Sequence, residues 1–265
     1  NLGNCYKSLG QYAKAIELFE QDQEIAEEVG DRVGQGTACG NLGSCYDSLG
    51  QYEKATTLHE QSVVIWEELG EPHSLMQACR GLGESLTRLG YYAQAIKHLK
   101  KCWALSEQVG IASDQARAAL NIGVTLWTQG LAEHQAIAAA DGGLQMQKQS
   151  AARLDEAQEW LTTALDRSTV SPITTIVLDA TLNLSCVAFF TSQEAEALKY
   201  LHAHLDLCVK HARDSCAGCW QRRGEDAPMS TCSGCKVARS VLHLGISSLN
   251  HNTYLAYNCY SCKRM

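Results

Sequence analysis

The same short phrase returns four times at a fixed offset: Asn1-Leu2-Gly3, Asn41-Leu42-Gly43, Gly81-Leu82-Gly83 and Asn121-Ile122-Gly123 stand 40 residues apart each time. Other landmarks keep the same step, namely Leu9-Gly10-Gln11-Tyr12, Leu49-Gly50-Gln51-Tyr52 and Leu89-Gly90-Tyr91-Tyr92, then Val29-Gly30, Leu69-Gly70 and Val109-Gly110. A self-similar period of this size marks stacked structural repeats, in which each unit buries its apolar face against its neighbours. It constrains the chain more than the length of 265 residues does, because such an array grows by unit count and has no single core. Its expected function is binding.

Within a unit, Ala38, Leu42, Cys45, Tyr46 and Leu49 recur at helical spacing, Gly50 interrupts, and Ala55, Leu58, Val63, Ile65 and Trp66 resume the period. The unit reads as helix, short turn, helix. Gly43 is expected where two helices approach too closely for a side chain. Gly50 and Gly70 are expected where a helix ends in a left-handed residue.

Leu42, Gly43, Tyr46, Gly50, Tyr52 and Ala55 stand in an order that resembles the tetratricopeptide repeat. The order recurs in Leu2, Gly3, Tyr6, Gly10, Tyr12, Ala15 and in Leu82, Gly83, Leu86, Gly90, Tyr92, Ala95. The usual repeat of that family has ~34 residues, and this longer unit is similar to the 40-residue variant of Pins-type G-protein-signalling modulators. A HEAT or armadillo array has a compatible period, but the Gly and Tyr placement disfavours it. The resemblance implies an all-α, right-handed superhelical solenoid of helix-turn-helix repeats over residues 1–213.

The phrase restarts at Asn183-Leu184-Ser185, which is 62 residues after Asn121, or one unit plus 22. An insertion at 131–152 restores the register, because Ala157, Leu161 and Ala164 then fill the places of Ala95, Leu99 and Cys102, and Ala197 and Leu201 continue a fifth unit. Asp141-Gly142-Gly143 is a turn signal, so the insertion should extend two helices into a protruding hairpin. It is either a tolerated surface feature or a dedicated binding element. The first unit begins inside its first helix, so further residues are expected upstream.

By the same resemblance, the first helix of each unit lines a concave groove, where the leading Asn1, Asn41, Asn121 and Asn183 would lie. An Asn amide offers donors and an acceptor, and a row of them can pair with the backbone of an extended peptide; the same amides can instead bond a neighbouring repeat. Ser44, Ser48, Gln77, Arg80, Glu84, Arg88, Arg117 and Thr128 are the other candidate groove residues. The cations of chaperone-tail clamps are missing, since Gly40, Ser44, Gln77 and Gly81 stand where that constellation needs charge. Arg80, Arg88 and Arg117 either recognise an acidic side chain bidentately or stay solvated, with Glu84 as a local partner.

The chain has 13 cysteines, and their placement separates two uses. Cys5 and Cys45 share one repeat position and Cys39 and Cys79 another, both within apolar helical pattern, so they are expected in the core. In the C-terminal part, Cys216-x2-Cys219 and Cys232-x2-Cys235 form two knuckles with Gly218 and Gly234 inside them. Such pairs bring four thiolates to one zinc ion. The run Cys232-Ser-Gly-Cys235-Lys-Val-Ala-Arg239 resembles the centre of a MYND finger, which implies an interaction module with two interleaved zinc ions. Ser240, Val241 and Gly245 then stand where that family places further ligands or aromatic residues, so one ion is expected rather than two. Cys259, Cys262 and His251 are possible additional ligands, although their spacing does not match. Residues 214–239 are thus read as a partial finger. Residues 240–265 form an unassigned tail, either disordered or supplied by a foreign exon.

Residues 214–265 carry six Lys/Arg against three Asp/Glu, leaving 16 against 26 in the repeats. A surplus of three is too small for strong phosphate-driven binding, and the acidic array opposes it. Nucleic acid is therefore disfavoured as a partner. No cofactor-cradling Gly loop, Ser/His/Asp set or His-Glu-x-x-His pair is present, so the chain is not expected to be an enzyme; a piece of a SET/MYND lysine methyltransferase is the alternative. The most apolar stretch, residues 173–190, is broken by Asp179 and Asn183, which argues against a membrane span. A cytoplasmic or nuclear interaction scaffold, holding a protein or peptide in its groove, is the expectation.

Overall fold

The computed structural model describes residues 2–140, 144–170, 174–190, 196, 197 and 199–204, and all its named elements are helices. The chain divides into two compact units, Asn1–Ile176 and Val177–Met265. The first contains α1 (Leu2–Ser8), α2 (Tyr12–Glu28), α3 (Arg32–Ser48), α4 (Tyr52–Leu69), α5 (Pro72–Arg88), α6 (Tyr92–Val109), α7 (Ala112–Ala140) and α8 (Leu144–Val170). Odd-numbered helices open a repeat and even-numbered helices close it. Each helix packs on the next, and α3, α5 and α7 also touch along the array.

Two kinds of glycine build this order. At the turns inside units, Gly10, Gly50 and Gly90 take φ of 72°, 73° and 81°, a region that costs other residues steric strain. The amides after them close the turn alike, Gln11 onto the Tyr6 carbonyl, Gln51 onto Tyr46 and Tyr91 onto Leu86, each at 2.9 Å. Gly30, Gly70 and Gly110 are left-handed between units. Asp31 then caps α3 by accepting from the Gly34 amide at 3.0 Å, and Pro72 opens α5.

The second kind lies inside first helices, where the closing helix inserts a side chain against bare backbone. A Cβ on Gly3 would stand 2.6 Å from Phe19, on Gly43 2.7 Å from His59, on Gly83 2.5 Å from Leu99, and on Gly123 2.7 Å from Leu161. This knob-on-glycine lock repeats in all four units. Around it run continuous apolar cores, one formed by Ala15, Ile16, Phe19, Leu42 and Cys45, another extending from Val63 and Trp66 through Leu75, Cys79 and Leu86 to Cys102 and Ala118. Cys39, Cys45 and Cys79 are buried as expected, but Cys5 is exposed. At the equivalent positions Ser85 bonds Asp47 and Thr125 lies 2.9 Å from Thr87, each on the preceding unit's first helix, a neighbour that Cys5 does not have among the described residues.

The helices α7 and α8, of 29 and 27 residues, are much longer than the 17 or 18 of α2 to α6. Gly130 occupies the place of Gly90 but lies inside α7, where a Cβ would stand 2.8 Å from Leu154. Ala157, Leu161 and Ala164 are buried on α8 as Ala95, Leu99 and Cys102 are on α6.

α9 (Thr174–Phe190) carries the division between the two units. In the second unit Ala180, Leu184, Val187 and Ala188 are buried, and Thr181 lies 3.3 Å from His204 Nδ1. Among the described residues no helix is long and apolar enough to cross a membrane.

Candidate functional site

The face built by α3, α5 and α7 carries most of the candidate groove residues. Asn41 is half-buried on α3, and its Oδ1 accepts a hydrogen bond from Lys7 Nζ of α1 at 2.9 Å. Asn121, half-buried on α7, donates from Nδ2 to Glu84 Oε1 of α5 at 2.7 Å. The same Glu84 oxygen accepts from Arg80 at 3.3 Å, so Arg80, Glu84 and Asn121 form one cluster bridging two units. The amides thus bond neighbouring repeats, through side chains rather than backbone.

Hydroxyls on this face turn back onto their own helices. Ser44 donates to the Gly40 carbonyl at 2.9 Å, Ser48 to Ser44 at 2.9 Å, and Thr128 to Val124 at 2.8 Å. Their oxygens keep lone pairs as acceptors. Gln77 is exposed, with its amide 2.8 Å from His73 Nε2. Arg88 is exposed and Arg117 half-buried.

Two other expected positions stand apart. Asn183 is only 8% exposed, and its Nδ2 donates to the Asp179 carbonyl at 2.7 Å. It is spent inside α9 and is not presented to a ligand as the groove reading expected. Asn1 lies outside the described residues, as do Cys216, Cys219, Cys232, Cys235, Cys259, Cys262 and His251.

Gly81 breaks the row of Asn, and its reason is His59. In the units on either side, Phe19 and Leu99 fill the equivalent place, and the phrases that follow them keep Asn41 and Asn121. The imidazole of His59, 3% exposed, lies against both Gly43 and Gly81, and a Cβ at Gly81 would stand 2.6 Å from its Cε1. Its Nε2 donates to Asp47 Oδ2 at 3.0 Å, and Asp47 Oδ1 accepts from Ser85 at 2.7 Å. This polar set joins α3, α4 and α5, while His59 Nδ1 is buried without a partner. In the 40-residue step His59 is a polar residue at a place that Phe19 and Leu99 keep apolar, and that substitution is the trace of the set in the sequence. Ser85 bonds the carboxylate rather than the imidazole, so the three do not form a hydroxyl and base pair of the nucleophilic kind.

The core thiols are equally unsuited to reaction. Burial pushes Cys79 up to about 11 and Cys102 up to about 12, which keeps both protonated near neutrality. Burial also raises Cys39 and Cys45.

Residues 1–68 match the family model described as tetratricopeptide repeat. No curated protein matches the chain. Among solved structures, nearly identical TPR-like repeats from Podosopora anserina are 18% identical, with a TM-score of 0.60 over 80% of this chain and 94% of that one. BtubC from P. vanneervenii is 16% identical at a TM-score of 0.64, covering 88% of this chain and 83% of its own. A Rap protein complexed with competence and sporulation factor is 16% identical at 0.61, over 80% and 53%. These structures share the fold of stacked helix-turn-helix units, and the tetratricopeptide repeat match itself spans the first 68 residues.

Proposed function

We propose that the chain is a non-catalytic scaffold whose first-helix face holds an extended segment of a partner protein. One observation carries this reading: Asn41, Ser44, Gln77, Arg80, Arg117 and Asn121 stand on α3, α5 and α7, the helices that touch along the array, and none of these side chains is buried in the core. A face of spaced, accessible hydrogen-bonding groups suits a peptide backbone better than it suits a small molecule, which needs an enclosing cavity. The Rap protein structure, complexed with competence and sporulation factor, is an instance of this fold holding a ligand.

The test selects binders to the full chain from a random-peptide display library and measures them by calorimetry. Substituting Asn41→Ala and Asn121→Ala together should abolish binding. Unchanged affinity would remove the face from consideration.

The scaffold's second part is a MYND-like, zinc-binding interaction module in which Cys216, Cys219, Cys232 and Cys235 hold one ion as thiolates. That reading rests on the two C-x2-C knuckles. Native mass spectrometry of the purified chain should count one zinc, and two would mean that Cys259, Cys262 or His251 complete a second site.

A further inference from the structure

The chemistry of the partners fixes how the two half-buried Asn amides are turned. A lysine ammonium can only donate, so Asn41 must direct Oδ1 toward Lys7 and leave both Nδ2 hydrogens free of that bond. A carboxylate can only accept, so Asn121 must direct Nδ2 toward Glu84 and leave Oδ1. This assignment does not depend on telling oxygen from nitrogen by shape. Among the described residues, Asn41 Nδ2 and Asn121 Oδ1 have no hydrogen-bond partner, and neither belongs to the buried atoms that lack one, so both reach solvent.

We propose that this face is chemically polarised: Asn41 is a dedicated donor, held by Lys7, and Asn121 is a dedicated acceptor, held by Glu84. Between them Gly81 contributes no side chain, because His59 excludes one. An extended peptide seated here therefore places a main-chain carbonyl at Asn41 and a main-chain N–H at Asn121. Lys7 and Glu84 are positioning residues that never touch it. The inference rests on the scaffold reading above, and it adds which half of each amide the ligand meets.

The experiment uses the full chain and a peptide recovered from the random display library. Asn41→Asp keeps the acceptor for Lys7 but has no N–H, so affinity should fall about tenfold while the thermal unfolding midpoint is retained. Glu84→Lys should turn Asn121 around, offering Nδ2 where Oδ1 stood, with a similar loss. On the unaltered protein, ester replacement of each peptide amide in turn removes one N–H. A single position should lose about tenfold, and Glu84→Lys should erase that sensitivity. Full affinity of Asn41→Asp, or an ester scan with no sensitive position, overturns the polarity and leaves the scaffold reading standing. A library that yields no binder overturns both. The ester scan needs no variant protein, so a variant that fails to fold still leaves a decisive result.

Discussion

His59 shows how one residue can reset its neighbours. It takes the knob position held by Phe19, Leu99 and Leu161 in the other units, and the Asn row is interrupted at Gly81, which its imidazole touches. Gly81→Asn, which restores the repeat's own residue, should therefore destabilise the protein by about 1–3 kcal/mol through overpacking. With His59→Leu the clash is relieved, because Leu99 coexists with Asn121 one unit later. Urea unfolding of the two single variants and the double variant should reveal a coupling of this size. Independent effects would show that Gly81 has another cause.

A second histidine sets a pH dependence. Burial, aided by Lys97 and Lys101, holds His98 below the ordinary imidazole range, and its Nδ1 is buried without a partner. The unfolded chain takes up that proton first. Stability from this group is complete above about pH 6.5, the unfolded value, and is lost as pH falls through the lower folded value. His98→Leu, matching Leu58 one unit earlier, should flatten the acid limb of a plot of unfolding free energy against pH relative to the unaltered protein. Parallel curves would place the acid sensitivity elsewhere.

At the scale of elements, α7 and α8 show what the repeat tolerates. Gly130 does not turn the chain as Gly90 does, because helix continues past it, yet the lock of Gly123 on Leu161 is the same as that of Gly83 on Leu99. The lengthened segments therefore add to the unit without altering its packing register. Deleting residues 131–152 should return a 40-residue unit that unfolds cooperatively, with less helical signal and a midpoint shifted by only a few degrees, as measured by circular dichroism. Loss of cooperativity would mean that the longer helices support the array through the Arg153 and Glu133 pair, 3.1 Å apart, or through contacts near it.

Much of this was legible from the period alone: left-handed glycines at the turns, bare glycines at helix crossings, and the alternation of helices. What the period hides are contacts that are not themselves periodic. Lys7 reaches Asn41 across 34 positions and Glu84 reaches Asn121 across 37, so equivalent amides receive opposite partners. The burial of Asn183 was hidden for a related reason, since its phrase is intact while the packing that covers it is not written in the period.

Across the whole molecule, exposed ion pairs such as Lys100 with Glu156 also cross units, but each is worth only about 0–1 kcal/mol. The locks and apolar cores must supply most of the array's stability, and they involve no metal. Among the described residues no group of three or more His, Cys, Asp or Glu is placed to hold an ion. On the proposed reading, in which Cys216, Cys219, Cys232 and Cys235 hold one zinc, a chelator should remove that ion while the far-ultraviolet circular dichroism of the helices and the affinity for a selected peptide stay the same. A metal-dependent fold would behave oppositely, since its ligands contribute their binding free energy directly to folding. Collapse of the helical signal on chelation would join the cysteines to the array as one cooperative structure. Retention of both signals would mark two modules that fold by different means.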